Sequence, residues 1–430
     1  MICIKNVNLV SMSEKREKFE ENVDIIIKDD EIIDIGKNVS ENYKCEKVID
    51  GEGKVAFPGL IDTHAHVPMS IFRETVDGLK TQDWLTKKIW PMEDKFTKVK
   101  GNVKWASLLS FVEMIKCGTT TINDMYFQTD EIIEAQKKAG VRLQTTRCLM
   151  GSAKNKDEVH KLDELRELVK TYNDDSRLTF NVGIHGFYTT DPEYVSICTS
   201  LAKELNLPIH IHFVENDQEV TDIENIYHKK PAVVLKEAFG DMKVILGHCA
   251  IIDDEGLDIL STMKNVSVAS CPVSNLRLGC GVAPISKMLE KNINVSVGTD
   301  GQGSGSNLDM FEELKFMSLL QKGVNKDPEL MPAYETLKIG TINGAKALGI
   351  DKEVGSIDVG KKADIILINM EDAILKPTND VFSELVNNVK GSNVDTTIVD
   401  GNILMENREL KNLDEKEIIA KASEIIETIK

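Results

Sequence analysis

Eight short runs rich in Val, Ile and Thr, each followed by a helical pattern, fill the middle of this chain from about residue 58 to about residue 350. The runs end near "IDTHAH", "TTTINDM", "RLQTTRCLM", "LTFNVGIHG", "PIHIHFVE", "KVILGHC", "VSVASCP" and "NVSVGTD". Amphipathic stretches such as "VKWASLLSFVEMIKCG" and "DEGLDILSTMKN" separate them. Parallel strands need a crossover connection, so strand–helix alternation implies parallel pairing. Eight such units are what a closed (β/α)8 TIM-like barrel requires, and the fold class expected is α/β.

The two ends differ in character. Residues 1–57 and residues 351–430 hold β-branched runs broken by Gly and Asp-Gly, as in "NVDIIIKDDEIIDIG" and "GSNVDTTIVDGNILMENREL". Such punctuation favours small antiparallel sheets. The expected organisation is therefore a barrel over 58–350 and one small β-sandwich built from both terminal segments. The final stretch, "LDEKEIIAKASEIIETIK", is amphipathic at helical spacing and should dock on that unit or on a neighbour.

Charge and cysteine usage narrow the class. In 430 residues, 52 basic side chains face 70 acidic ones, a net charge of −18. An anionic surface repels nucleic acid and anionic membranes, so neither is an expected partner. The eight cysteines are scattered singly, which reads as reduced thiols of a cytoplasmic protein rather than a disulfide framework. No run approaches the roughly 20 apolar residues of a membrane span, and the opening "MICIKNVNLV" is too short an apolar stretch for a signal peptide.

Active sites of (β/α)8 barrels lie at the C-terminal ends of the strands. Six of the eight histidines fall there: His64 and His66, His185, His210 and His212, and His248. Asp300 closes the eighth run and Glu215 follows the fifth. A lone strand histidine is more often a hydrogen-bonded core residue, and "GTDG" is an ordinary turn signal. Together, His64, His66, His212 and Asp300 offer three imidazoles and a carboxylate to one divalent cation such as zinc, with a position left for water. His210 lies one pleat deeper than His212 and reads as structural. Glu215, in the loop, is too exposed to be read as core, against the blander reading of a carboxylate favoured at a helix start.

The phrases "PGLIDTHAH", "IHIHFVE", "LGHC" and "GTDG", with "GTINGAKALGIDKEVGSIDVGKKADIILIN" near the end, resemble the amidohydrolase superfamily over nearly the whole chain. Within it the chain is similar to 5′-methylthioadenosine/S-adenosylhomocysteine deaminases, including 5′-deoxyadenosine deaminases. The resemblance implies a hydrolytic deaminase acting on adenine nucleosides with a modified 5′ position. One divalent ion would be bound by His64, His66, His212 and Asp300, zinc first, with Fe²⁺, Mn²⁺ or Ni²⁺ as alternatives. It implies Glu215 as proton shuttle, His248 as hydrogen-bond partner of the attacking water, and Asp300 as a further proton carrier. Substrate contacts would come from Trp84, Glu93, Arg147, His185 and Ser304. The family's bridging lysine is missing from "NVGIHGFY", which implies one metal rather than two. The second arginine expected after Arg147 is missing too; Lys154, Lys156 and Lys161 are nearby, but lysine lacks the bidentate fork. That favours a short 5′ substituent. The alternatives are a guanine or cytosine deaminase or a triazine-type chlorohydrolase, and, from another class, a non-catalytic metal-binding barrel. A barrel enzyme of this kind is expected to form a homo-oligomer.

Overall fold

The computed structural model describes residues 1–75 and 77–429. Its terminal strands are β1 (Ile2–Leu9), β2 (Glu20–Lys28), β3 (Glu31–Gly36), β4 (Lys47–Asp50) and β5 (Lys54–Pro58). The central strands follow: β6 (Leu60–Ala65), β7 (Thr119–Asp124), β8 (Arg142–Thr145), β9 (Leu178–Phe180), β10 (Val182–Ile184), β11 (Ile209–Phe213), β12 (Val244–His248), β13 (Val266–Ser270) and β14 (Asn294–Val297). The chain ends with β15 (Ile365–Asn369), β16 (Val394–Val399), β17 (Asn402–Glu406) and β18 (Glu409–Leu410), then a helix, Glu415–Ile429.

All eight expected central strands are present and pair in parallel. Strands β6 to β9 form one sheet and β10 to β14 another. The fourth strand of the pattern is one run interrupted at Asn181, whose amide donates to Asn123 Oδ1 at 2.8 Å. Its halves belong to the two sheets, and a bridge between Leu149 and Ile184 links them. On the other side the ring closes where Asp300 N donates to His64 O at 2.9 Å. That approach requires glycine at 298, since a Cβ there would lie 2.5 Å from the His64 carbonyl oxygen. "SVGTD" is thus a packing word as well as a turn word.

The helices start where local chemistry allows. Asp191 accepts the Tyr194 N–H at 2.7 Å, and Pro192, which has no N–H to orphan, opens the helix Pro192–Leu205. These helices wrap strands that are buried on both faces, so the strands read as continuous apolar or threonine-rich runs rather than alternating ones.

Both ends of the chain enter one nine-stranded sheet in the order β18-β17-β16-β15-β5-β1-β2-β3, with β4 beside β1. The junction is antiparallel pairing of β15 with β5, from Ile365 opposite Pro58 to Asn369 opposite Lys54. Ile4, Ile25, Ile27, Ile365 and Leu367 give this sheet a core of its own. A buried cluster bolts it to the barrel: Arg142 holds Asp364 at 3.0 Å and Asp400 at 3.1 Å. Removing the arginine would strand two buried acids, a change typically worth about 3–5 kcal/mol. The terminal helix docks on the barrel helix Asn102–Lys116, where Lys116 pairs with Glu415 at 2.7 Å.

One expectation is corrected. Cys3 and Cys45 are joined as a disulfide, with Cα atoms 5.9 Å apart, while the other six cysteines are free. Parallel pairing of β1 with β4 brings the two neighbourhoods together, a contact that spacing in sequence does not announce. Among the described residues, no helix is long and apolar enough to cross a membrane.

Candidate active site and metal centre

Period-two alternation along β6 turns His64 and His66 to the same side. His212, His248 and Asp300 arrive from the ends of β11, β12 and β14. The ligand atoms of His64, His66 and His212 all lie within 4.8 Å of one another, and so do those of His64, His248 and Asp300. His66 Nε2 stands 3.1 Å from His212 Nε2 and 3.1 Å from Asp300 Oδ1; His64 Nε2 stands 3.8 Å from the same oxygen.

The outward-facing atoms of these rings fix what the inward ones are. His66 Nδ1 donates to Met125 O at 2.7 Å and His212 Nδ1 donates to His185 O at 2.6 Å. A carbonyl only accepts, so each Nδ1 carries the hydrogen and each neutral ring aims a bare Nε2 inward. His248 does the same, its Nδ1 donating to Asn275 Oδ1 at 2.9 Å. Bare nitrogens gathered about a carboxylate call for positive charge. Burial by itself lowers the His66 pKa, but the hydrogen bond and charge of Asp300 outweigh it and raise it to about 9. A proton on His66 still leaves His64 Nε2 buried without a partner. A divalent cation would satisfy the nitrogens of His64, His66 and His212 together with the Asp300 carboxylate, and a donor set of three imidazoles and one carboxylate suits zinc.

Asp300 is itself oriented. It sits at φ +60°, and its Oδ2 accepts from Ser274 Oγ at 2.5 Å and Ser304 Oγ at 3.0 Å. Oδ1 is left for the cluster. Burial pushes Asp300 up, yet the hydrogen bond and charge of His66 hold its carboxyl well below the usual range, so it is ionised.

A cavity lined by His66, His212, His248 and Asp300 opens directly above. The segment after β6, with helices Thr81–Trp84 and Trp90–Thr97, supplies Trp84, Trp90 and Glu93 to its wall. His185 and Glu215 line it as well.

Residues 55–404 match the sequence profile of the amidohydrolase family. The chain belongs to the amidohydrolase family. Two similar relatives are the 5-methylthioadenosine/S-adenosylhomocysteine deaminase of Thermoanaerobacter pseudethanolicus and the 5'-deoxyadenosine deaminase of Methanocaldococcus jannaschii. The first is 42% identical, covering 97% of this chain and 96% of the relative. The second is 39% identical and covers both chains in full. Among solved structures, an adenosine deaminase from Xanthomonas campestris with bound zinc superposes with a TM-score of 0.94 at 27% identity, covering 100% of this chain and 98% of that one.

The remaining candidate residues of this amidohydrolase separate into groups. Glu93 is buried, accepts the Tyr126 hydroxyl at 2.7 Å, and has its pKa pushed up to about 7 by burial. Trp84 Nε1 is buried without a partner. His185 Nδ1 pairs with Thr189 Oγ1 at 2.9 Å, and burial drops its pKa to about 4, so the ring is neutral. Burial raises the Glu215 pKa, and Cys280 Sγ lies 3.8 Å from Glu215 Oε1.

Two expected contacts do not line this cavity. Ser304 faces Asp300 rather than the cavity. Arg147 lines an adjoining cavity with Trp90, Glu93 and Lys161, and its Nε lies 2.7 Å from Glu164. Lys161 is likewise paired, with Glu158 at 2.7 Å. His210, read as structural, supports the cluster directly: its Nε2 meets His64 Nδ1 at 2.8 Å. Tyr126, Ser274, Asn275 and Cys280 escaped the sequence reading. No local motif marks them, because each earns its place through a partner far along the chain.

Proposed function

We propose that this amidohydrolase is a metal-dependent hydrolytic deaminase that converts adenine nucleosides altered at the 5′ position into their inosine analogues plus ammonia. The observation that carries this reading is the gathering of Glu215 and His248, neither of them one of the four proposed ligands, on one cavity wall with His66, His212 and Asp300. The names of the two sequence relatives support the same chemistry.

His64, His66, His212 and Asp300 would hold one divalent ion, zinc by the donor set. When bound, the ion polarises water and makes hydroxide available near neutral pH. His248, with Nδ1 fixed by Asn275, offers a bare Nε2 to orient the attacking water. Attack at C6 puts negative charge on the purine ring, and Glu215 delivers a proton to N1. Burial raises its pKa, the direction that suits a proton donor. Asp300, ionised, would take the proton that the attacking water gives up and pass it to the departing amine. Glu93, a carboxylate in a mostly apolar wall, suits ribose hydroxyls and so favours a nucleoside over a bare base or a triazine. Because Arg147 and Lys161 are already paired with Glu164 and Glu158, a neutral 5′ group is favoured over one ending in a carboxylate. In this reading 5′-deoxyadenosine and methylthioadenosine outrank S-adenosylhomocysteine.

The test is a comparison of kcat/KM for 5′-deoxyadenosine, methylthioadenosine, S-adenosylhomocysteine, adenosine, free adenine and guanine, followed by ammonia release. Turnover of free bases in preference to all four nucleosides would overturn the proposal.

A further inference from the structure

The fifth strand poses a geometric problem. Along β11 side chains alternate, so His212 faces the cluster and Phe213 faces away. If the chain stayed extended, Glu215, an odd number of residues after His212, would point away from the barrel mouth. Instead Glu215 and His212 line the same cavity. The alternation is broken at Val214, which adopts φ +45°. That left-handed conformation is one that residues with a Cβ avoid, β-branched ones most of all. Something must hold it.

Glu219 is placed to do so. One of its carboxylate oxygens accepts the Val214 N–H at 3.0 Å and the other accepts the Glu215 N–H at 2.8 Å. Glu219 is 1% exposed. A blander reading is a helix capping box, since Asn216 caps the helix Asp217–Tyr227 and its Oδ1 accepts the Glu219 N–H at 3.1 Å. In that motif the Glu side chain returns to the backbone N–H of the cap residue itself. Here it reaches past Asn216 to the two residues before it.

We propose that Glu219 is a positioning residue: its carboxylate grips the Val214–Glu215 backbone in a left-handed turn and thereby aims Glu215 into the cavity. The inference rests on the role of Glu215 given above. A glutamine at 219 has one carbonyl oxygen and sets an NH₂ group against the second N–H, so the grip is halved. Glycine at 214 takes the same φ at no steric cost, so the turn then needs no clamp.

The experiment compares metal-loaded Glu219→Gln, Val214→Gly, the double variant and Glu215→Gln, with 5′-deoxyadenosine as substrate. Glu219→Gln should lose about 10²-fold in kcat, the cost of displacing a reacting group by an ångström. KM and metal content should stay near parent values, and adding Val214→Gly should restore most of the loss. Parental kcat in Glu219→Gln, loss of metal with it, or no recovery in the double variant would each overturn the inference. The control separates it from the reading beneath: turnover retained in Glu215→Gln removes the role of Glu215. An inactive Glu215→Gln beside a fully active Glu219→Gln removes only the clamp.

Discussion

His66 Nε2 and His212 Nε2 stand 3.1 Å apart while the opposite nitrogen of each ring is committed to a backbone carbonyl. Two lone pairs at that distance repel unless a proton or a metal cation lies between them. Chelation should therefore abolish ammonia release and lower Tm, and Zn²⁺ should restore both. Stabilisation by a bound ligand reaches about 2.7 kcal/mol when free ligand is roughly 100 times Kd. His212→Ala should not bind zinc at parental affinity; parental metal content in that variant would remove His212 from the site.

His248 tests where the ligand set ends. Its ligand atom lies within 4.8 Å of those of His64 and Asp300, close enough to be a fifth ligand. If it orients water instead, His248→Asn should keep its metal and lose about 10²–10⁴-fold in kcat, the range for a general acid–base contribution. Elemental analysis alongside kinetics distinguishes the two roles, and loss of metal would make His248 a ligand.

Glu93 should write itself into the pH dependence of stability. Burial raises its pKa from an ordinary 4.5 to about 7. Because the folded state favours the protonated acid, its contribution is fully present below pH 4.5 and is lost as pH rises through about 7. Glu93→Gln does not ionise and still accepts the Tyr126 hydroxyl. It should match the parent in acid and exceed it in alkali, by up to about 3 kcal/mol. Urea denaturation at pH about 5 and about 8.5 measures this, and a pH-independent difference would count against it. The same variant should raise KM for nucleosides, because an amide holds vicinal hydroxyls less strongly than a carboxylate.

Glu164 should govern how the enzyme treats a charged 5′ substituent. It neutralises Arg147 at 2.7 Å. Glu164→Gln would free the guanidinium for a substrate carboxylate. The pair is partly exposed to solvent, so the gain is modest: about three- to tenfold in kcat/KM for S-adenosylhomocysteine relative to 5′-deoxyadenosine. An unchanged ratio would mean that Arg147 does not meet the substituent.

Much of this molecule was legible in one dimension. Strand–helix alternation implied the barrel, because parallel pairing leaves the chain no shorter way back. Placing residues at strand ends then selected His64, His66, His212, His248 and Asp300, since a (β/α)8 barrel puts every strand end on one rim. What stayed hidden was the support. Ser274 behind Asp300, Asn275 behind His248 and Tyr126 behind Glu93 are hydrogen-bond partners 26, 27 and 33 residues away from the groups they hold. Cys3 and Cys45 likewise meet only because β1 and β4 pair.

Even Glu219, four residues from Glu215, was invisible, since its meaning depends on a left-handed Val214 that no local pattern foretells. Sequence by itself determined which side chains reach the barrel's rim, because strand periodicity is set by the backbone. Only the tertiary structure decided which atom of each points inward, because that follows from hydrogen bonds made by the other face of the same group.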